Sequence, residues 1–232
     1  MISVIIPTFN EGEQINKTIS GLLNNADARH LTEIIVVDGG STDHTICQAL
    51  RAGVQVVKSN TKGRAAQMNN GAAQATGSIL YFLHADTVPP PGFTSAIVQA
   101  VQAGASSGCF RLAFDCKHWF LRANCWFTRF NINYFRFGDQ SLFVRTAVFR
   151  RSGGFRADYQ VLEDQEIIGR LNKLAPFRVI SQPVITSARK YISNGIYKTQ
   201  GIFFLIYAMY CLGFSQQKLV ATYKRFICQD KL

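Results

Sequence analysis

Charge is scarce in this chain: Asp, Glu, Lys and Arg make up 17% of its 232 residues, against about 25% in an average globular protein. With 47% apolar residues beside it, that scarcity excludes a disordered or solvating protein. Cysteine pairs are missing too. The six cysteines (Cys47, Cys109, Cys116, Cys125, Cys211, Cys228) form no C-x-x-C, and no His stands at metal-ligand spacing. Structural zinc and a disulfide framework are therefore not expected, and the thiols read as reduced core residues of a cytosolic protein. The apolar run 202–214 has 13 residues, short of the roughly 20 needed to span a bilayer. The opening Met1-Ile2-Ser3-Val4-Ile5-Ile6-Pro7 lacks a basic region and a cleavage site and reads as a strand, not a signal peptide. Internal repeats, low-complexity tracts, linkers and nucleic-acid motifs are likewise absent.

What is present is one α/β pattern and a lopsided charge. Residues 1–115 carry 7 Lys and Arg against 8 Asp and Glu, whereas residues 116–232 carry 18 against 6. The net charge of +11 thus belongs to the second half, where phosphate groups, an anionic membrane surface or nucleic acid would be met. Short continuous apolar runs at 4–6, 34–37, 54–57 and 79–83 predict buried parallel strands. Between them, Ser41-Thr42-Asp43 predicts the cap of a helix reaching about Arg51, with Asp43 in its first turn. Residues 63–75 predict another helix, stopped at Gly77. Strand and helix alternating at this density give a doubly wound, mainly parallel sheet. Ligands of such sheets bind beyond the carboxyl ends of the strands.

The loops at those ends carry polar residues. Pro7-Thr8-Phe9-Asn10-Glu11-Gly12 follows the first run and Asp38-Gly39-Gly40-Ser41-Thr42-Asp43 the second. Asp38 stands where a ribose or base edge is hydrogen-bonded, the alternative being a helix-cap cluster. Lys62-Gly63-Arg64 puts paired positive charge at a helix start, a place for an anion. His84-Ala85-Asp86-Thr87 follows the fourth run, and Pro89-Pro90-Pro91 then halts regular structure.

Taken in order, Pro7–Glu11, Val37–Asp43, Gly63-Arg64 with Asn69, His84-Ala85-Asp86, Gly138-Asp139-Gln140 and Leu162-Glu163-Asp164-Gln165-Glu166 resemble the inverting family-2 glycosyltransferases of GT-A fold. The resemblance spans residues 2–190, and is greatest to small bacterial members associated with arsenosugar biosynthesis and radical-SAM/selenium clusters. It implies a transferase domain over 1–190 (nucleotide half 1–115, acceptor half 116–190), followed by apolar and basic C-terminal helices over 191–232. The implied donor is a nucleotide-diphosphate sugar, with a UDP-sugar foremost. Thr8, Asn10, Glu11, Asp38, Gly63, Arg64, Asn69 and Asp86 would hold it.

The resemblance also implies a divalent cation, Mn²⁺ or Mg²⁺, at an Asp-x-Asp motif. Here His84 replaces the first carboxylate, leaving Asp86 as the expected ligand and His84 as a second candidate better suited to Mn²⁺. Asp139, Gln140 and Glu163 would line the donor-sugar or acceptor pocket, and Arg189 or Lys190 would close over the diphosphate, with a solvated basic loop as the alternative. Asp164 is the implied general base, its pKa raised by the charges of Glu163 and Glu166; a merely acid-enriched helix start is the alternative. One base and direct displacement invert the anomeric centre. Other readings are a catalytically weak nucleotide-sugar-binding or membrane-docking protein, and a sugar-phosphate nucleotidyltransferase. The last is disfavoured because Asn10-Glu11 stands where its basic Gly-rich loop should follow the first strand.

Residues 117–137, placed on one helix, gather Trp119, Trp126, Phe130 and Phe137 into an arc, with Phe120, Phe127 and Tyr134 extending it and Arg122, Arg129 and Arg136 along its edge. Most of these rings are expected to pack on the sheet. The other reading is a membrane interface with anionic lipid, making the protein peripheral at the inner face of the membrane with a lipid-linked or amphiphilic acceptor. The 202–214 run lies in that interface, packs on the arc, or meets a second subunit of a homodimer. Ser215 predicts the cap of a final helix bearing Lys218, Lys224 and Arg225.

Overall fold

A computed structural model describes residues 1–135 and 138–227. The chain opens as β1 (Ile2–Thr8), α1 (Ile15–Asn25), β2 (Leu31–Asp38), α2 (Thr45–Arg51), β3 (Gln55–Lys58), α3 (Arg64–Gln74) and β4 (Ile79–Phe82). A short strand β5 (Thr87–Val88) and α4 (Phe93–Gln102) lead to β6 (Ser107–Phe114), α5 (Trp119–Phe127), β7 (Leu142–Arg145), α6 (Thr146–Ser152), α7 (Glu163–Leu174) and β8 (Phe177–Thr186). Then come α8 (Arg189–Asn194), α9 (Ile196–Cys211) and α10 (Gln216–Phe226).

The strands form one sheet in the order β3-β2-β1-β4-β7-β6-β8-β5. β3, β2, β1 and β4 are mutually parallel, and β7 turns antiparallel against both β4 and β6. All seven residues of β1 are buried, as expected of a strand covered on both faces. Ile2, Val4 and Ile6 point into the cluster shared with α1 and α4, while Ile5 points into the cluster shared with α3 and α7. Full burial of one such side chain contributes about 1.5–3 kcal/mol. α3 lies especially close: a Cβ at Gly71 would stand 2.5 Å from Ile5 Cγ2. The doubly wound α/β expectation therefore holds.

Several local expectations do not. α2 begins at Thr45 rather than at 41–43, because Asp43 is spent outside it, accepting from the backbone N–H groups of Gly12 and Thr45. β6, β8 and the two-residue β5 carry no early apolar signature: Arg111 interrupts β6, and a register shift with Pro183 interrupts its pairing to β8. The 117–137 segment is not one helix. α5 stops at Phe127 because the Thr128 hydroxyl donates to the Cys125 carbonyl (2.6 Å) and accepts the Leu112 N–H (3.1 Å), pinning the chain to β6. The arc and its seven-residue arginine row therefore do not form, and Arg136 and Phe137 lie outside the described residues. Nor do most rings pack on the sheet: Trp119, Trp126, Phe127, Phe130 and Tyr134 are exposed. Of the five described cysteines only Cys109 is buried, Cys47 and Cys211 being exposed.

The C-terminal helices are bound into the body. Gln216 accepts from the Gln160 and Val161 N–H groups, and Val161 packs with Ile202, Ile206, Leu219 and Tyr223. The expected 190/191 division falls inside α8. Ser215 does stand at the N-cap of α10, without a side-chain cap hydrogen bond. Among the described residues no helix is long and apolar enough to cross a membrane.

Candidate active site

Two chambers lie beyond the carboxyl ends of β1 and β4, sharing a wall of Arg64, His84, Asp139, Lys190 and Tyr191. The first is polar and holds Thr8, Glu11, Asp86 and Arg189. Arg189 donates to both Glu11 oxygens, at 2.6 and 2.7 Å, and reaches Asp86 Oδ2 at 3.4 Å. Burial would lower the Arg189 pKa, but Glu11 outweighs it and holds the guanidinium charged. Burial raises the Asp86 pKa, and the charges of Asp139 and Glu11 raise it further.

The second chamber receives Glu163 and Asp164 from the first turn of α7 and is otherwise mainly apolar, with Phe114, Val161, Phe203 and Tyr207 in its walls. Glu163 is buried and lies 2.8 Å from Arg64 Nε. That contact lacks hydrogen-bond geometry, so both Glu163 oxygens keep acceptor capacity inside the protein. Asp164 is pushed up to about 6, by burial first and by the Glu163 charge second. Glu166 contributes nothing here, since Arg170 grips it at 2.6 and 2.7 Å.

His84 stands between the chambers. Its Nδ1 is 3.0 Å from Asp139 Oδ1 and its Nε2 is 3.8 Å from Asp164 Oδ2. Burial alone would lower the histidine pKa; the hydrogen bond and charge of Asp139 reverse that and raise it. Burial likewise opposes ionisation of Asp139, yet His84 brings its pKa down to about 2. With Nδ1 engaged by Asp139, His84 could ligate a cation only through Nε2. Among the described residues no group of three or more His, Cys, Asp or Glu side chains could hold a metal. Asp86 is a hard oxygen donor crowded by two other carboxylates. One such ligand, completed by substrate phosphates, is a common setting for Mg²⁺ or Mn²⁺, so the residues fit a cation shared with a diphosphate.

The remaining candidates are spread around these chambers. Asp38 is buried at the end of β2, in register with Thr8 of β1. Its Oδ2 accepts from the N–H groups of Gly40 and Ser41 (2.9 and 3.0 Å), and its buried Oδ1 has no hydrogen-bond partner. Asn10 joins two loops, its N–H donating to Ser41 Oγ and its Oδ1 accepting the Thr42 N–H. Gly63 is the N-cap of α3 at φ +107°, a conformation natural to glycine. Asn69 lines neither chamber; it donates to the Phe155 carbonyl and accepts the Phe155 N–H, bracing the turn after α6. Gln140 lies behind the cleft, where its Oε1 meets the Cys109 thiol at 3.5 Å. Asp38, Asn10, Gly63 and Gln140 are likewise absent from both chamber linings. Lys190 sits in the shared wall, its ammonium 5.9 Å from the Phe203 ring and 5.8 Å from the Tyr223 ring.

Sequence reasoning missed Tyr191, Phe203 and Tyr223, which wall both chambers. Of these only Phe203 had a sequence signal, its place in the apolar run 202–214. It also missed the strained backbone. Asn10 (φ 52°), Ser141 (φ 53°) and Leu162 (φ 63°) are the non-glycine positive-φ residues described, and Asn10 and Leu162 immediately precede Glu11 and Glu163. Left-handed conformations at such residues cost of order 1–3 kcal/mol and cluster at functional sites.

Comparison with known proteins gives the family and the fold. The sequence model of glycosyl transferase family 2 matches residues 3–157. A dolichol-phosphate mannosyltransferase of Pyrococcus furiosus is 30% identical over 109 residues, 45% of this chain and 31% of that protein. This chain spans about a third of the length of most curated relatives it matches. Among solved structures, the Pyrobaculum calidifontis mannosyltransferase in complex with GDP-Man and Mn²⁺ superposes with TM-score 0.68 at 18% identity, covering 97% of this chain and 67% of that one. Staphylococcus aureus TarS with UDP-GlcNAc gives 0.67 at 18% identity, covering 80% and 58%. The fold is that of the GT-A glycosyltransferases.

Proposed function

The chain belongs to glycosyl transferase family 2, and from that premise we propose that it moves a sugar from a nucleotide-diphosphate donor to an acceptor hydroxyl with inversion, Asp164 serving as general base. The observation carrying this reading is the shared wall: Asp86 in the polar chamber and Asp164 in the apolar one flank His84 within a single cleft. A carboxylate with pKa about 6 is ionised at neutral pH yet basic enough to accept the proton of an attacking alcohol. The acceptor oxygen would attack the anomeric carbon from the face opposite the diphosphate, its proton passing to Asp164 as the bond to the diphosphate breaks, and this single displacement inverts the centre.

Roles follow from position. Thr8, Glu11 and the unpaired Asp38 oxygen face the nucleoside side, where a carboxylate accepts from ribose hydroxyls or a base N–H. A divalent cation held by Asp86 would neutralise the charge developing on the departing diphosphate. Arg189 and Lys190 flank the same space, and Arg189 would leave Asp86 to meet the diphosphate. Glu163 and Asp139 would orient the sugar, and Asp139 also holds His84. A UDP-sugar is the foremost donor, and the unpaired thiols suit a reducing cytoplasm. On the resemblance of its motifs we read the chain as similar to the small bacterial members associated with arsenosugar biosynthesis and radical-SAM/selenium clusters.

The test is a thermal-shift screen against UDP-, GDP- and dTDP-sugars with and without Mn²⁺, followed by NMR of the product. Stabilisation by one nucleotide sugar, strengthened by Mn²⁺, and a product of inverted anomeric configuration are expected. A retained configuration, or no response to any nucleotide sugar, removes the reading.

A further inference from the structure

The apolar chamber does not end inside the protein. Tyr134 and Phe204, both in its lining, are exposed at 40% and 38%, and their rings stack at 6.2 Å. Tyr134 also meets Tyr207 edge-on at 4.9 Å. The chamber therefore emerges between the segment after α5 and the middle of α9. The same two elements meet again where Phe120 packs on Tyr197 at 4.9 Å. From these junctions an apolar surface spreads outward. Trp119 is 66% exposed, Leu212 76% and Tyr197 57%, with Trp126, Phe130 and Leu205 also exposed. α5 buries only Leu121, and α9 turns Thr199, Gln200, Ile202 and Ile206 inward while Phe204 and Leu205 stay outside.

The charge on this surface has one sign. No Asp or Glu occurs between Asp115 and Asp139, nor between Glu166 and Asp230. Exposed Lys117, Arg122, Arg129, Lys198 and Lys218 stand among the rings, with Arg129 4.2 Å over Trp126 and Lys218 5.3 Å from Phe214. Aromatic rings with snorkelling cations and no acids complement a lipid surface of negative headgroups. α9, at about 24 Å for its 16 residues, is too short to cross a bilayer, so the fit is to lying in the interface.

We infer that α5, the segment after it and α9 form a docking surface for an anionic membrane, through which an alcohol carried on a lipid reaches Asp164 without leaving the interface. The inference rests on the transferase reading for the role of Asp164, while the surface itself stands on exposure and charge. It is tested by co-sedimentation with phosphatidylcholine vesicles, with and without phosphatidylglycerol, at low and high salt. Wild-type protein, a Trp119→Ser/Trp126→Ser/Phe130→Ser variant and an Arg122→Gln/Arg129→Gln variant are compared, with nucleotide-sugar thermal shifts checking that each variant remains folded. Binding to the anionic vesicles alone is expected, weakened by salt and by about tenfold or more in each variant. Failure of wild-type protein to bind anionic vesicles at low salt overturns the inference. So does equal binding by the variants, or a stable dimer that covers these rings. Nucleotide-sugar recognition without vesicle binding sinks the surface and spares the transferase; vesicle binding without nucleotide-sugar recognition does the reverse.

Discussion

The two sides of the cleft treat the same chemical group in opposite ways. Asp139 and Asp164 both face His84, at 3.0 and 3.8 Å, yet one is held at about 2 and the other raised to about 6. Both are desolvated. Asp139 gains a hydrogen bond to a histidine whose own pKa it raises, and this overcomes burial. Asp164 receives only the longer contact and sits beside the charge of Glu163. Two environments a few ångströms apart thus make one carboxylate a fixed anion that positions and the other a base that titrates, the pattern by which acid–base roles are divided within one site.

The polar chamber differs in the same sense. Its charges are already engaged, Glu11 and Asp86 sharing Arg189, and an incoming diphosphate must exchange these partners. The apolar chamber has no cation to exchange beyond Arg64 and Lys190 in the shared wall. Donor binding should therefore depend on charge and on a divalent ion, acceptor binding on shape.

The sharpest way to break this contrast is Asp164→Asn. Turnover should fall by about 10²–10⁴-fold, the usual contribution of a positioned base, while calorimetry shows donor affinity within about twofold of wild type. A donor affinity that falls with turnover would show that the chambers are not separable. Asp86→Asn should give the opposite split. Donor affinity and kcat/KM should drop by about 10²-fold, and the Mn²⁺ enhancement of the thermal shift should vanish. The pH profile comes next. Because the folded pKa of Asp164 is raised to about 6, the base is ionised above that pH and lost below it. Log kcat/KM should accordingly fall by about one unit per pH unit on the acid side, and a profile flat from pH 7 to 4.5 would remove Asp164 from the role.

The same raised value carries a stability consequence. The folded state holds this proton more tightly than the unfolded chain, so ionised Asp164 costs stability at pH above about 6, and Asp164→Asn should melt a few degrees higher at pH 7. The smallest effect on the site itself is expected from Asn69→Ala. It should lose about 1–3 kcal/mol of stability through two hydrogen bonds to Phe155, with donor affinity unchanged.

Much of the frame was legible in the residues. Runs buried on both faces announce parallel strands without help from neighbours, and β1, β2, β3 and β4 lie within a residue or a few of their expected places. Asp164 and Glu163 were legible as acids at a helix start. Asn69 and Gln140 were not legible as structural, because an amide looks the same whether it meets a ligand or a backbone 86 positions away. The 117–137 segment misled for a related reason. Helical periodicity continues past Phe127, but a threonine hydroxyl engaged with β6 ends the helix, and periodicity does not register a tertiary hydrogen bond.

By itself, then, the sequence determined what depends on near neighbours: strand and helix alternation, the loops that bear the polar groups, the basic second half. Only the tertiary structure decided which charges meet. Glu11 and Arg189 are 178 residues apart, and His84 sits between Asp139 and Asp164 because the loop after β4, the short helical turn Gly138–Gln140 and the first turn of α7 meet at the same place. Electrostatic pairing and desolvation fall off within a few ångströms, so they are set by distances that chain spacing does not encode.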